Sequence, residues 1–115
     1  MTAPLAPWQV WWTDFDPVEG QEQAGRRPAI VVSSRFHLTL TGGGLVSVLP
    51  LTTRERPGWL HRVRIGAGGE PVSYAITEQV RTVSRSRLAG RAPVWTLTSE
   101  QVNEVRTILS RMLDL

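Results

Sequence analysis

The chain contains no cysteine and no lysine. Without cysteine there is neither a disulfide frame nor a thiolate zinc site, and His37 and His61 are the only imidazole ligands, so no structural metal and no cofactor is expected. Without lysine, a phosphate loop ending in Gly-Lys-Ser/Thr is excluded; Gly42, Gly43 and Gly44 precede an apolar strand pattern, which suits a hairpin better than an anion-cradling helix start. Long apolar runs are missing too, the longest, such as residues 29–32, being far too short to cross a bilayer. Residues 1–7 carry neither basic residues nor an extended apolar stretch, so no targeting segment is read there and the expected location is cytoplasmic.

What is present is arginine. All 13 basic residues are of this type, a bias that codon usage alone can produce, yet a guanidinium also offers a planar fork that grips phosphate and stacks on flat rings. A net charge of +3 and a pI near 11.0 favour a polyanionic partner. With 115 residues, 41% of them hydrophobic, residues 1–115 read as one domain with one core.

The pattern is of short strands first and a helix last. Residues 8–13, 28–33, 45–51, 61–65, 72–76 and 79–83 are rich in β-branched and aromatic side chains, and breakers such as Asp16-Pro17, Gly20 and Pro57-Gly58 separate most of them. Six short strands predict a mainly β (α+β) fold, a small barrel. Ser84 to Leu88, followed by Gly90, suggests one or two helical turns. Thr98 and Gln101 form a capping-box pattern, and Val102, Val105, Ile108, Leu109 and Met112 recur at spacings of three and four. That predicts an amphipathic C-terminal helix, seated on an open end of the barrel or on a partner. Residues 35–44 carry no assignable pattern.

Three segments could carry chemistry. The first is a polar loop with Asp16, Glu19, Glu22, Arg26 and Arg27 leading into a buried strand. Pro28 disfavours the helical region for Arg27 and holds it extended at the strand's mouth, placed to meet a phosphate, although such a loop also reads as a solvated turn whose charges pair with one another. In the second, an apolar strand ends at Thr52-Thr53 and runs into Arg54 and Arg56, so hydroxyls sit at the edge of the core, where they serve either as strand residues or as phosphate ligands. Beyond it, Trp59, His61 and Arg62 around Pro57-Gly58 suggest a flexible basic flap suited to single-stranded nucleic acid, with Trp59 alternatively a core residue. The third contains Glu78, Gln79 and Arg81, with Gln79 and Arg81 expected on one face of a strand, an outer sheet face by itself. A paired-histidine mechanism would require His37 and His61 to converge, which nothing in the pattern suggests.

Taken in order, residues 14–17 (Asp-Phe-Asp-Pro), Gly20, Glu22-Gln23, Arg27-Pro28, then residues 49–54 (Leu-Pro-Leu-Thr-Thr-Arg), then residues 78–83 (Glu-Gln-Val-Arg-Thr-Val) and Arg87-Leu88 resemble the MazF/PemK family of mRNA interferases over nearly the whole chain. The resemblance implies an SH3-like, PemK-like barrel, a homodimer, and a cytoplasmic, metal-independent endoribonuclease that cleaves single-stranded RNA and is restrained by an acidic antitoxin. It makes Arg27 and Thr52 the catalytic pair and sets Glu22 and Gln79 along the RNA groove; Arg26, Thr53, Arg54 and Arg81 are taken as further substrate-binding residues. Two positions depart from the family pattern: Trp8-Gln9 stands where a Gly-Asp pair often opens the first strand, and Ser34 where Asn often follows the second. The competing expectation is a non-catalytic barrel that binds RNA or poisons a protein target, as in CcdB-like gyrase inhibitors.

Overall fold

Along Gln9–Asp14 (β1), consecutive side chains are buried on opposite faces: Val10 enters one apolar cluster and Trp11 another. A strand apolar on both faces needs a cover on each side, and the chain supplies two. The computed structural model describes residues 4–15, 25–66 and 72–115. After β1 come β2 (Arg26–Val31), α1 (Arg35–Leu40), β3 (Leu45–Thr52), β4 (Arg62–Ile65), β5 (Ser73–Ile76), β6 (Arg81–Ser84), β7 (Leu88–Ala89), β8 (Trp95–Thr96) and α2 (Ser99–Met112).

The strands form one antiparallel 8-stranded sheet in the order β4-β5-β3-β2-β1-β7, with β6 also on β3 and β8 also on β1. It is mainly β: a sheet curled into a half-barrel with a C-terminal helix. Two strands more than expected are present because β7 and β8 are two residues each, too short for alternation to register. The curl is made in β3, which pairs with β6 through Leu45 to Val48 and with β5 only from Leu51 onward. Pro50 lies in the gap between these partners, where its missing N–H costs no ladder bond.

The first cluster joins Val10, Ile30, Leu49, Leu51, Val63, Ile65 and Ala75 to Val105 of α2, with Val102, Ile108 and Leu109 packed against it. Each fully buried aliphatic side chain of this kind contributes about 1.5–3 kcal/mol. The C-terminal stripe is therefore spent on the chain's own core, except Met112, which is 43% exposed. Helix α2 starts where the capping box requires: the Thr98 hydroxyl accepts from the Gln101 N–H at 3.2 Å, and the Gln101 side chain accepts from the Thr98 N–H at 3.0 Å.

The second cluster contains Trp11, Phe15, Ala29, Val31, Val46 and Val48 and is closed by Leu38 of α1. Helix α1 is what residues 35–44 become. Ser34 caps it, its hydroxyl accepting from the His37 N–H at 3.1 Å, which is a role that Asn fills equally well. Gly42 and Gly43, both at positive φ (63° and 84°), end the helix and turn the chain into β3. The glycine run thus joins a helix to a strand, not two strands in a hairpin. After β6, a single 3-10 turn, Arg85–Arg87, is capped by Ser84 and followed by Gly90 at φ 93°.

Candidate active site

Strand β2 begins with two arginines and a proline. Its register against β1 sets Arg26 opposite Asp14, Arg27 opposite Thr13 and Pro28 opposite Trp12. Against β3 the last pair is Ala29 with Pro50, after Ile30 with Leu49 and Val31 with Val48. The same register carried two positions further sets Arg27 directly opposite Thr52, and directly opposed residues in antiparallel strands project their side chains to the same face. Far apart in the chain, the two positions meet just beyond the last paired residues of β2 and β3.

They share a cleft of about 420 Å³. Gly25, Arg26, Arg27 and Pro28 form one wall, Leu51, Thr52 and Thr53 the other, and Ser73 at the start of β5 adds a further hydroxyl. Among the described residues the two arginines are its only charged lining, and they attract anions. Thr52 is 7% exposed, and its hydroxyl accepts the Arg54 N–H at 3.2 Å. A hydroxyl that accepts keeps its own hydrogen to give. At this mouth a partly buried guanidinium fork and a neutral O–H donor can face one phosphate from adjacent strands.

Of the remaining candidates, Arg26 and Thr53 line the cleft, whereas Arg54, Gln79 and Arg81 are not among its lining residues. Arg54 is exposed just past the end of β3. Gln79 closes a 3-10 turn, Thr77–Gln79, ahead of β6, so it does not share a strand face with Arg81 as the alternation suggested; the polar Thr77-Glu78 step breaks the strand first. Arg81 is paired opposite Val48 and lies over the buried ring of Phe15, 5.4 Å from its centroid. Glu22 lies outside the described residues, as do Asp16, Glu19 and Gly20. Ser73 and Gly25 were not singled out from the sequence; Ser73 has the signal of a polar residue at an inward strand position, and Gly25 that of a glycine at positive φ (76°) before an arginine pair.

The stretch after Thr53 is a turn whose side chains contact one another. Trp59, 44% exposed and so not core, stacks on His61 with centroids 5.1 Å apart. The guanidiniums of Arg56 and Arg62 lie 5.2 and 4.9 Å from its ring. Arg62 in turn donates twice to Glu78, at 3.1 and 2.8 Å, and Thr77 donates to the His61 carbonyl. His37 is engaged elsewhere, its Nδ1 2.7 Å from the Ser33 hydroxyl. Among the described residues no group of three or more His, Cys, Asp or Glu could hold a metal ion, and no helix is long and apolar enough to cross a membrane.

Residues 6–113 match the family described as PemK-like, MazF-like toxin of type II toxin-antitoxin system. Endoribonuclease MazF9 of Mycobacterium tuberculosis is 30% identical over 113 residues, which cover 93% of this chain and 94% of that protein. The crystal structure of MazF from Deinococcus radiodurans superposes with a TM-score of 0.82 at 28% identity, covering 98% of this chain and 99% of the other. A MazE-MazF crystal structure from the same organism gives a TM-score of 0.76 at 27% identity, over 98% of each chain. With nearly its whole length matched and the cleft formed by the motif positions, the chain belongs to the PemK-like, MazF-like toxin family.

Proposed function

We propose that this chain is an endoribonuclease toxin that cuts single-stranded RNA in the cleft between β2 and β3, without a metal ion, and that an acidic antitoxin holds it inactive. The endoribonuclease relative and the MazE-MazF structure support the activity and its restraint. The observation that carries the site is the common cleft of Arg27 and Thr52.

The chemistry uses RNA's own nucleophile. The ribose 2'-OH attacks the adjacent phosphorus, the bond to the 5'-oxygen breaks, and the products are a cyclic phosphate and a free 5'-OH. The proton lost from the 2'-oxygen is balanced by one gained at the leaving oxygen. Arg27 faces the charge that builds on the phosphorane and stabilises it with fixed donors, while Thr52 adds one neutral hydrogen bond; such preorganised donors supply much of the rate in reactions of this kind. Arginine side chains are not deprotonated in proteins, so electrostatic stabilisation and not proton transfer is the role assigned to Arg27. Arg26 and Thr53 steer the neighbouring backbone into the cleft, and Glu22, Arg54, Gln79 and Arg81 contact the strand beyond it.

The basic cleft also suits an acidic, disordered antitoxin segment that folds on binding. We further propose a homodimer in the cytoplasm, for which sedimentation of the purified chain is the check on assembly. The decisive experiment incubates long single-stranded RNA with the protein in EDTA, beside Arg27→Ala and Thr52→Ala. Cutting by the parent alone supports this reading. RNA binding with no cutting by any of the three leaves a non-catalytic RNA-binding barrel.

A further inference from the structure

Beyond Thr52 the strand pairing continues across two further strands. Strand β5 sets Tyr74 opposite Thr52, and β4 sets Arg64 opposite Tyr74. Three positions, Thr52, Tyr74 and Arg64, therefore form one row across three strands, with side chains on a common face, and Arg27 lines the cleft at the Thr52 end of that row. The alternate positions, Leu51, Ala75 and Val63, point the other way into the first apolar cluster, so this row faces outward from that core.

Two features of the outer half of the row call for an explanation. Tyr74, the chain's single tyrosine, is half-buried, and Arg64 is exposed. Among the described residues Arg64 makes no ion pair and Tyr74 no hydrogen bond; the ion pairs there engage His61, Arg62 and Glu78. Glu104 lines the same groove beside α2 as Arg64 but lies beyond ion-pair reach. An unengaged phenol and an unengaged guanidinium, in register with the cleft, make a track of donors. With strands about 4.8 Å apart, Tyr74 stands one strand and Arg64 two strands from Thr52 along the row, so their long side chains can reach back to a phosphate beside the one at Thr52.

We infer that Tyr74 and Arg64 extend the cleft and hold the RNA backbone phosphate next to the scissile one, Tyr74 through its phenolic O–H and Arg64 through its guanidinium. The inference rests on the RNA-cutting reading above, and it assigns these residues to positioning, not to the bond-breaking step. It also separates their signatures. A charged contact to phosphate releases a counterion and so contributes to the salt dependence of binding, about 0.7 in the slope of log affinity against log salt for single strands. A neutral phenol contributes affinity without slope.

The test is the affinity of the intact protein for a short, fully 2'-O-methylated RNA, which lacks the attacking hydroxyl and cannot be cut, measured by fluorescence anisotropy over a series of salt concentrations. Arg64→Ala is expected to bind about tenfold more weakly with a slope smaller by about 0.7, and Arg64→Lys to restore the slope. Tyr74→Phe is expected to bind about two- to tenfold more weakly with the slope unchanged. Parent-like binding by Arg64→Ala or Tyr74→Phe overturns the inference, as does a loss with Arg64→Ala that leaves the slope intact. So does a Glu104→Gln variant that copies the Arg64→Ala effect, because the guanidinium would then serve the groove with α2. A drop in sedimenting mass with Arg64→Ala overturns it too, assigning the face to contact between copies of the chain. Cleavage of all-ribose RNA by the parent is scored separately: failure there, with binding and its salt signature retained, sinks the catalytic reading and leaves Tyr74 and Arg64 as RNA-backbone contacts without a neighbouring cut.

Discussion

Arg27 and Thr52 lie two positions beyond Ala29 and Pro50, the last pair of β2 with β3, and both line one cleft. A relationship set by strand pairing tolerates little slippage, since a shift of one residue would send either side chain to the opposite face.

Replacing Arg27 by alanine should lower the single-turnover rate of RNA cleavage by about a hundredfold to a thousandfold, the usual cost of one preorganised donor to a developing oxyanion. Because Arg27 is only half-buried at a strand mouth, the melting temperature should barely move. A large loss of stability with the rate loss would assign the residue to the fold instead.

Thr52 separates donor from shape. Thr52→Val keeps the volume and removes the hydroxyl that accepts from Arg54, so cleavage should fall by about a hundredfold, with a stability loss of about 1 kcal/mol from the orphaned N–H. Thr52→Ser should retain most of the rate. Equal activity of the valine and serine variants would remove the hydroxyl from the chemistry.

A single 2'-deoxy substitution at the cut site should abolish cleavage there, and DNA of the same sequence should remain intact. Product 5' ends bearing a free hydroxyl, identified by their labelling with a kinase without prior phosphatase treatment, would match internal attack. Cleavage that survives the deoxy substitution would refute it.

Trp8 is the one residue other than glycine described at positive φ, 69°, at a position where a glycine often opens this family's first strand. Backbone bonds from Trp8 to Val31 at 2.7 Å and from Leu97 to Trp8 at 3.0 Å hold it there, while its ring packs on the first cluster with Arg106 5.4 Å from its centroid. Strain of about 1–3 kcal/mol at such a residue is offset by ring burial of about 1.5–3 kcal/mol and a cation–π contact of about 0.5–1 kcal/mol. Trp8→Gly should therefore lose about 1–2 kcal/mol, and Trp8→Ala, which keeps the strain and loses the ring, should lose more. Thermal unfolding of the pair reads the order directly, and alanine outranking glycine would show that the backbone is not strained.

The legible parts of the sequence were those written in local pattern. The Thr98-Gln101 capping box and the spacing of Val102, Val105, Ile108 and Leu109 gave helix α2 its start and its buried face, because capping and periodicity act within a few residues. Pairs such as Trp12 with Ala89 or Val10 with Trp95 were not legible, since strands of two residues form only when the rest of the sheet presents an edge. Helix α1 was hidden for a similar reason: six residues with Phe36 and Leu40 exposed and only Leu38 buried carry no stripe. Of the residues that line the cleft, Arg27 and Thr52 stand in recognisable motifs, whereas Ser73 does not, because its place there depends on β5 closing beside β3.

The donors at the cleft are anchored in paired strands whose neighbours are buried core residues such as Ala29, Leu49 and Leu51, while the long connections of the chain leave from the ends of those strands. Such a layout divides labour between scaffold and loop. If the cut is made there as proposed, exchanging a connecting segment is expected to alter which RNA is admitted while the donors themselves stay in place.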